Sequence, residues 1–368
     1  MRSLARLVYR LAAIGGFLSV ASAFAMLLLH RRARLRGWAR RLLTVGLVWG
    51  LVLGTASVGA AAWRSYSVRR LLNASARVNV DTLRADRPPL EPVNFLVLGS
   101  DARDIPGYAN DDPNGPVEGQ RADVLMVLKV DPASGRAVVL SIPRDFYVQI
   151  PSHGPTKINA ALELGGPSLQ VSVVQDLTGI PIDHYVEVDF SGFVDIVNTM
   201  GGVQLCVDHP MRDQFTGIDL GTAGCHNLDG IGALSFVRSR HAEYQIDGRW
   251  VDDPDGDLGR IRRQQDFLEE LMKKAFSTGA TRRVPEYASA VGRALTFDSA
   301  FSSDDVVNLV QGFSRPTPEA VAFLSLPGTT DDLDGVSYVF PKEPDADQVL
   351  VSIGGRPIPD TSLPFGRD

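Results

Sequence analysis

Arginines are concentrated in one short stretch of a chain whose overall charge is negative. Residues 256–265, GDLGRIRRQQ, carry Arg260, Arg262 and Arg263 in a protein with a formal net charge of −6. At about 100° per residue, Arg260 and Arg263 lie roughly 60° apart on one flank of the apolar helix stripe, whereas Arg262 points to solvent. A helix N-terminus also attracts anions. The spacing therefore favours an anion site at Arg260 and Arg263 over the alternative of a solvated charged face.

Two more arginines precede this stretch, and an aspartate lies near its start. SFVRSRH, residues 235–241, places Arg238 and Arg240 two positions apart, which is one side of an extended segment. The planar guanidinium group matches phosphate oxygens, and several arginines with a divalent cation describe a pyrophosphate clamp. Asp257 stands where the helix begins and is a candidate for catalysis, with a helix N-cap as the alternative.

A second group of polar residues is predicted to meet at one end of a hairpin. DVLMVLKV (123–130) and RAVVLSIP (136–143) flank the turn signal DPASG and predict antiparallel strands. Arg121 and Asp123 then lie beside Arg144 and Asp145. Asp101 ends the apolar run VNFLVLGSD, where open α/β sheets place ligands. Because Mg²⁺ takes one or two carboxylates and completes its shell with phosphate oxygens and water, two aspartates beside these arginines suit a divalent cation with phosphate. Capping of a helix or loop is the alternative for Asp101, and capping of a turn is the alternative for Asp145.

The elements that carry these residues alternate between strands and helices. Helices are predicted at 168–179 and 191–202, and strands at HYVEVDF (184–190) and VQLCV (203–207). Residues 228–240 suggest a short helix that leads into a strand or loop. This alternation predicts a layered α/β domain with a mixed sheet. The domain is expected to span residues 92–353, after an extended linker at 64–91 and before a disordered tail at 354–368.

The N-terminal part of the chain predicts a membrane anchor at residues 1–63. The apolar stretches 11–29 and 42–63 are each long enough to cross a bilayer. The loop between them, 30–41, holds six arginines and is expected in the cytoplasm, so both chain ends and the main domain are expected outside. A signal peptide is the alternative for the first stretch. A start at Met26 would leave one span and the same extracellular domain.

Charge and cysteine content limit the possible functions. Residues 1–90 hold 15 arginines, no lysine and two aspartates, a charge of +13, whereas the rest holds 22 basic and 41 acidic residues, a charge of −19. So acidic a domain disfavours nucleic-acid binding. Cys206 and Cys225 predict a disulfide in an oxidising compartment, and closing a loop of about twenty residues stabilises by roughly 3 kcal/mol. The sequence contains no P-loop or dinucleotide glycine fingerprint, which disfavours a nucleotide substrate.

Seven segments, in order, resemble the LytR-CpsA-Psr family of cell-wall ligases. They are NFLVLGSDAR, QRADVLMVLKVD, SIPRDFYVQIP, KINAALELGG, HYVEVDFSGFVDIVNTMGGV, LDGIGALSFVRSRH and GDLGRIRRQQDFL. The resemblance implies a three-layer α/β/α domain with a hydrophobic pocket for a polyprenyl chain. It also implies transfer of a phospho-glycan from a polyprenyl-pyrophosphate carrier onto peptidoglycan, outside the membrane.

The resemblance also implies roles for individual residues. Asp101 and Asp123 resemble the magnesium-side acids. The implied pyrophosphate and catalytic arginines are Arg121, Arg144, Arg238, Arg240, Arg260 and Arg263. Gln264 is implied to support them, and Lys157 resembles a further polar position of the site, with a surface lysine as the alternative. The residues expected to act in catalysis are Arg121, Asp123, Arg144 and Asp257. RADV stands where many members carry serine and threonine, so the correspondence there is limited to Arg121 and Asp123.

Two other functions remain open at this point. A hydrolase could act on the same lipid carrier, since water and a sugar hydroxyl are similar nucleophiles. A non-catalytic membrane module could bind wall polymer or regulate envelope genes. A regulator that reads DNA would need a basic cytoplasmic domain, and the candidate for one is the short loop 30–41.

Overall fold

The computed structural model describes residues 66, 73–88, 91–100, 122–276, 290–302, 305 and 320–359, with residues 257 and 276 limited to the backbone. The predicted spans 11–29 and 42–63, the loop 30–41, Asp101 and Arg121 lie outside these residues. No helix within the described ranges has the length and apolar character needed to cross a membrane.

The chain divides into two compact units, and the larger one comprises residues 74–301 and 308–368. In the smaller unit, residues 1–73 and 302–307, the backbone N–H of Ser302 donates to the Asp305 carboxylate at 2.8 Å. The elements below belong to the larger unit.

The strands of the described residues are β1 (Ala76–Val78), β2 (Val93–Ser100), β3 (Ala122–Asp131), β4 (Arg136–Ile142), β5 (Tyr147–Ile150), β6 (Gly154–Lys157), β7 (His184–Asp189), β8 (Val203–Val207), β9 (Met211–Asp213), β10 (Ile218–Leu220), β11 (Gly224–Leu228), β12 (Glu243–Ile246), β13 (Arg249–Asp252), β14 (Leu295–Asp298), β15 (Val321–Ser325), β16 (Gly328–Leu333) and β17 (Val336–Pro341). The helices are α1 (Ala160–Thr178), α2 (Phe190–Thr199), α3 (Gly230–Arg238), α4 (Gly256–Phe276) and α5 (Asp345–Ser352).

A mixed sheet forms the centre of the unit, in the order β1-β14-β7-β2-β3-β4-β15. The pairs β2–β3, β3–β4 and β7–β14 are antiparallel, whereas β2–β7, β4–β15 and β1–β14 are parallel. The predicted mixed sheet and the predicted hairpin of β3 and β4 are therefore confirmed.

Helices pack against both faces of this sheet. On one face, Leu96, Leu98 and Leu140 share a core with Val174 of α1 and Leu350 of α5. On the other face, the Gln265 amide of α4 donates to the Ser141 hydroxyl of β4 at 3.1 Å. A second core joins α2, α3 and α4 to the small sheet β10-β9-β12-β13.

Glycines fix the two ends of the regular part of α1. Gly165 and Gly166 have non-helical backbone angles, and Gly166 lies at φ 67°, a region that residues with a side chain rarely adopt. Pro167 follows this kink, since a proline is tolerated in the first turn of a helix. Gly179, also at φ 67°, ends the helix, which confirms the predicted stop.

The domain boundaries expected at residues 92 and 354 need correction. Val80 and Ile358 are both part of the main core, at 7% and 2% exposure. The Ile358 N–H donates to the Asp347 carboxylate at 2.8 Å. Apolar residues within polar segments thus anchor both flanks, so the linker and the tail contribute to packing as far as the structure describes them.

The predicted disulfide is present. Cys206 of β8 lies directly opposite Cys225 of β11 in an antiparallel pair, and the two are bonded with Cα atoms 3.9 Å apart. The bond therefore joins two strands that are already paired.

Candidate active site

The end of the β3–β4 hairpin brings Asp123 and Arg144 together. Leu125 of β3 pairs with Ile142 of β4. Because the two strands are antiparallel, Asp123, two residues before Leu125, lies close to Arg144, two residues after Ile142. The Arg144 guanidinium donates to Asp123 Oδ1. The predicted proximity of these two residues is confirmed.

Three arginines from different elements influence the Asp123 carboxylate. Burial on its own would raise the pKa of Asp123, but Arg144, Arg260 and Arg238 lower it below its usual value. Asp123 is therefore ionised at neutral pH. The arginines that keep Asp123 ionised come from the loop after β4, from α4 and from the end of α3.

Asp145 is the centre of a second cluster. Its carboxylate lies 3.0 Å from Lys157 Nζ, 3.6 Å from Arg144 Nε and 3.5 Å from Arg240 Nη2. Burial raises the pKa of Asp145, and Arg144, Lys157 and Arg240 together lower it to below its usual value. The sequence predicted Asp145 at this end of the hairpin, with capping of a turn as the alternative, but did not predict its three cationic partners. Its position directly after Arg144, at the end of a buried strand, was the signal for a larger role.

The backbone of residues 144–145 is fixed from two sides. The carbonyl of Asp145 accepts a hydrogen bond from Val339 of β17 at 2.9 Å, and that of Arg144 accepts one from Asn159 at 3.2 Å. Lys157 ends β6, whose partner β5 follows Asp145 in the chain. Because Lys157 is paired with Asp145, the alternative of an ordinary surface lysine is wrong.

Arg238 and Arg240 reach the site in a different way from the one predicted. Arg238 is the last residue of α3, and its guanidinium stacks on the Phe190 ring at 4.3 Å. Ser239 turns the chain, and Arg240 follows. The predicted short helix that leads into a loop is confirmed. Because α3 continues through Arg238, the two arginines do not lie on one face of an extended segment. Arg238 still lowers the pKa of Asp123, and Arg240 pairs with Asp145.

The helix α4 presents its arginines in the predicted register. Arg260 and Arg263 are buried, at 3% and 4% exposure. The Arg262 side chain is 57% exposed and pairs with Asp255. Asp257 lies in the first turn of α4, and the alternative that it caps the helix stays open. Its catalytic role stays a prediction, since its side chain is outside the described atoms.

Arg263 contacts the protein itself. Its guanidinium donates to Asp253 Oδ2 at 2.8 Å, to the Tyr244 hydroxyl at 3.0 Å and to the Ser239 carbonyl at 2.7 Å. These partners give Arg263 a role in holding the loop at Ser239, and its direct contact with pyrophosphate stays a prediction. One of these partners is the buried carboxylate of Asp253, which lies just before α4. Gln264 has a similar role, because its amide donates to the Val237 carbonyl at 3.3 Å.

The donor set is compatible with Mg²⁺. Within the described residues, no group of three or more His, Cys, Asp and Glu side chains is arranged to hold a metal ion. Mg²⁺ needs only one or two protein carboxylates when phosphate oxygens complete its shell. Asp123, ionised and at a strand end, fits one such position, and Asp101 lies outside the described residues.

The fold and the site define a class of protein. Five cationic side chains from four regions of a mixed α/β domain surround two ionised carboxylates: Arg144, Lys157, Arg238, Arg240 and Arg260. Such a cluster can bind a polyanion of the size of a pyrophosphate and stabilise charge on it.

The profile of the LytR_cpsA_psr family matches residues 69–353, so the chain belongs to this family. It is 38% identical over 208 residues to the probable cell wall biosynthesis protein LcpB of Corynebacterium glutamicum, covering 54% of this chain and 47% of that protein. The match thus spans about half of the length of LcpB. It is 33% identical over 249 residues to TagU of Enterococcus faecalis, a polyisoprenyl-teichoic acid–peptidoglycan teichoic acid transferase, covering 67% of this chain and 74% of that protein.

Solved structures agree with this assignment. The LytR-Csp2A-Psr enzyme from Actinomyces oris superposes with a TM-score of 0.61 at 26% identity, covering 77% of this chain and 97% of the other. The mixed α/β fold is therefore that of the family.

Proposed function

We propose that this protein is a membrane-anchored transferase that moves a phospho-glycan from a polyprenyl-pyrophosphate carrier onto peptidoglycan. The observation that carries the proposal is the convergence of Arg144, Lys157 and Arg240 on Asp145, beside Arg238 and Arg260 at Asp123. The transferase TagU, which acts on polyisoprenyl-linked teichoic acid and peptidoglycan, supports the same class of donor and acceptor.

The reaction forms one phosphodiester and breaks the bridging bond of a pyrophosphate. A hydroxyl of the peptidoglycan attacks the phosphorus that carries the glycan, and the bond from that phosphorus to the bridging oxygen breaks. Polyprenyl phosphate leaves with the electron pair of that bond, and the hydroxyl proton is released. Arg144, Arg238, Arg240 and Arg260 are placed to bind the pyrophosphate oxygens and to stabilise the charge that develops on the leaving phosphate.

The two central carboxylates organise these cations. Because the pKa values of Asp123 and Asp145 lie below the usual range, both groups are already ionised and are weak bases at neutral pH. Mg²⁺, when held by Asp101 and Asp123, would supply positive charge to the pyrophosphate.

A location outside the membrane fits the chain's other features. The disulfide between Cys206 and Cys225 is typical of an oxidising compartment. The stretches 11–29 and 42–63 would anchor the domain beside the bilayer in which a polyprenyl carrier resides.

The direct test uses the full-length protein in detergent with a polyprenyl-pyrophosphate-linked glycan, Mg²⁺ and a peptidoglycan oligomer. Polymer-linked oligomer supports the proposal. Free glycan phosphate would instead identify a hydrolase, and recovery of unreacted donor would favour a binding module. Arg262→Ala, on the exposed side of α4, is the matched control for Arg260→Ala.

A further inference from the structure

Asp213 is a buried carboxylate that takes part in neither cation cluster. It ends β9 and is 1% exposed. Its Oδ1 accepts hydrogen bonds from the backbone N–H groups of Phe215 at 2.9 Å and Thr216 at 3.3 Å. Its Oδ2 accepts from the Ser239 hydroxyl at 2.6 Å and from the backbone N–H groups of Arg240 and His241 at 3.1 and 3.0 Å. One carboxylate thus organises the turn after β9 and the arginine-bearing loop after α3.

The loop itself is held from two directions at Ser239. This residue is fully buried, its hydroxyl donates to Asp213, and its carbonyl accepts from Arg263 at 2.7 Å. The His241 ring packs on the Phe215 ring, with centroids 4.6 Å apart. Contacts of the loop with the turn therefore reinforce those made by the carboxylate.

The charge of Asp213 is stable in this environment. Burial raises the pKa of Asp213, but the hydrogen bonds from Ser239 and from the backbone of residues 241, 215 and 216 lower it to below its usual value. An ionised carboxylate accepts hydrogen bonds about twice as strong as a neutral acceptor does. The loop is therefore fixed by strong bonds to its backbone.

We propose that Asp213 is a positioning residue for pyrophosphate binding and acts through Arg240. The backbone N–H of Arg240 bonds to Asp213, and the guanidinium of the same residue lies 3.5 Å from Asp145. Asp213 thereby fixes the backbone position from which the Arg240 side chain extends, so the guanidinium is already oriented before pyrophosphate binds. This inference rests on the proposed function in taking pyrophosphate as the group that Arg240 binds.

A double-mutant cycle tests whether Asp213 acts through Arg240. The full-length protein, Asp213→Asn, Arg240→Ala and the double variant are titrated with inorganic pyrophosphate and Mg²⁺ by calorimetry. Asn keeps the size of the side chain but removes the charge and one acceptor. We expect Asp213→Asn to weaken pyrophosphate affinity about tenfold in the wild-type background and less than about twofold in the Arg240→Ala background, since coupled residues are not additive. A purely structural role of Asp213 would give equal losses of pyrophosphate affinity in the two backgrounds.

Asp298→Asn is the matched control. Asp298 is also a fully buried carboxylate that accepts a backbone N–H, from Tyr185 at 3.0 Å, but it lies at the end of β14, away from both cation clusters. This variant is expected to lower the midpoint of thermal unfolding and to leave pyrophosphate affinity unchanged. Ser239→Ala, which removes one donor to Asp213, serves if Asp213→Asn does not fold, and we expect it to show the same coupling with a smaller loss.

The outcomes separate this inference from the proposed function. Equal losses in both backgrounds, or unchanged affinity in folded Asp213→Asn or Ser239→Ala, would overturn the positioning role. Normal pyrophosphate binding by Arg240→Ala would overturn it as well. If the coupling is found but the wild-type protein transfers no glycan, the proposed function fails and the positioning role stands.

Discussion

At the scale of single residues, the carboxylates of the site act by staying charged. Asp145 has three cationic neighbours, Arg144, Lys157 and Arg240. Each neighbour favours the ionised form, so the pKa of Asp145 is lower in the folded protein than in the unfolded chain. The same holds for Asp123. Folding and protonation are therefore linked at this site.

The sign of this linkage gives a prediction for Asp145→Asn. The pKa of Asp145 is lowered in the folded protein. The stabilisation that its charged form contributes is therefore present above the pKa of the unfolded chain, about 3.9, and is lost as the pH falls through the pKa of the folded protein. The free energy of unfolding of the wild-type protein is expected to fall more steeply on acidification below about pH 5 than that of Asp145→Asn. Urea denaturation over this range measures both slopes. Identical slopes would show that Asp145 is not stabilised in its charged form.

Arg260 and Arg262 provide a matched pair of substitutions within one helical turn. Charged hydrogen bonds contribute about 1.5–3 kcal/mol, so Arg260→Ala is expected to lower kcat/KM for glycan transfer at least about tenfold. Arg262→Ala is expected to change it little, because an exposed ion pair contributes little. Steady-state kinetics on the two variants, both checked for folding by circular dichroism, decide the point. An equal loss in both variants would contradict the role given to the buried face of α4.

At the scale of elements, the helix α4 connects the site to its support. Arg263 lies on the buried side of this helix and pairs with Asp253 just before it, with both side chains 5% exposed. The same guanidinium reaches Tyr244 of β12 and the loop after α3. One arginine thus ties a helix, a hairpin and a loop together.

Removal of Arg263 is expected to destabilise the fold. Arg263→Ala would leave Asp253 buried without its cation, at a cost of about 3–5 kcal/mol. The pair replacement Arg263→Met with Asp253→Leu is expected to cost less than Arg263→Ala alone, because it leaves no buried charge. Denaturant unfolding of the two variants gives the comparison. If Arg263→Ala unfolds at the wild-type denaturant concentration, Arg263 does not have the supporting role described above.

The sequence predicted the elements with strong local signals. The β3–β4 hairpin has a clear turn between two apolar runs, and Gly179 marks the end of α1. The end of α3 was harder to predict, because an alternation of arginines and serines fits a strand as well as a helix terminus. The partners of Arg263 also could not be predicted from the sequence, since Asp253 and Tyr244 meet Arg263 only through tertiary packing.

At the scale of the whole molecule, charge and hydropathy divide the chain into two parts. Residues 1–90 carry +13, and the acidic remainder carries −19 around a cationic site. The composition predicted this division and the α/β class. It did not predict the limits of the domain, because Val80 and Ile358 lie within polar segments that carry no clear apolar pattern.

The predicted topology of the anchor can be measured with single cysteines. Ala5→Cys and Ser362→Cys are expected to react with a membrane-impermeant thiol reagent in intact cells, whereas Ala33→Cys in the arginine loop is expected to react only after permeabilisation. Cys206 and Cys225 are bonded to each other, which keeps the background low. Labelling of Ala33→Cys in intact cells would contradict the proposed orientation.

The central claim is that the phosphorus next to the glycan moves with it to the acceptor. The most direct measurement follows a donor labelled with ³²P at that position, incubated with the full-length protein, Mg²⁺ and a peptidoglycan oligomer, beside the Arg260→Ala variant. We predict that the label appears in the peptidoglycan-linked product and that the released polyprenyl phosphate is unlabelled, with much slower transfer in the variant. Label that stays on the lipid, or that is released as soluble glycan phosphate, would contradict phospho-glycan transfer.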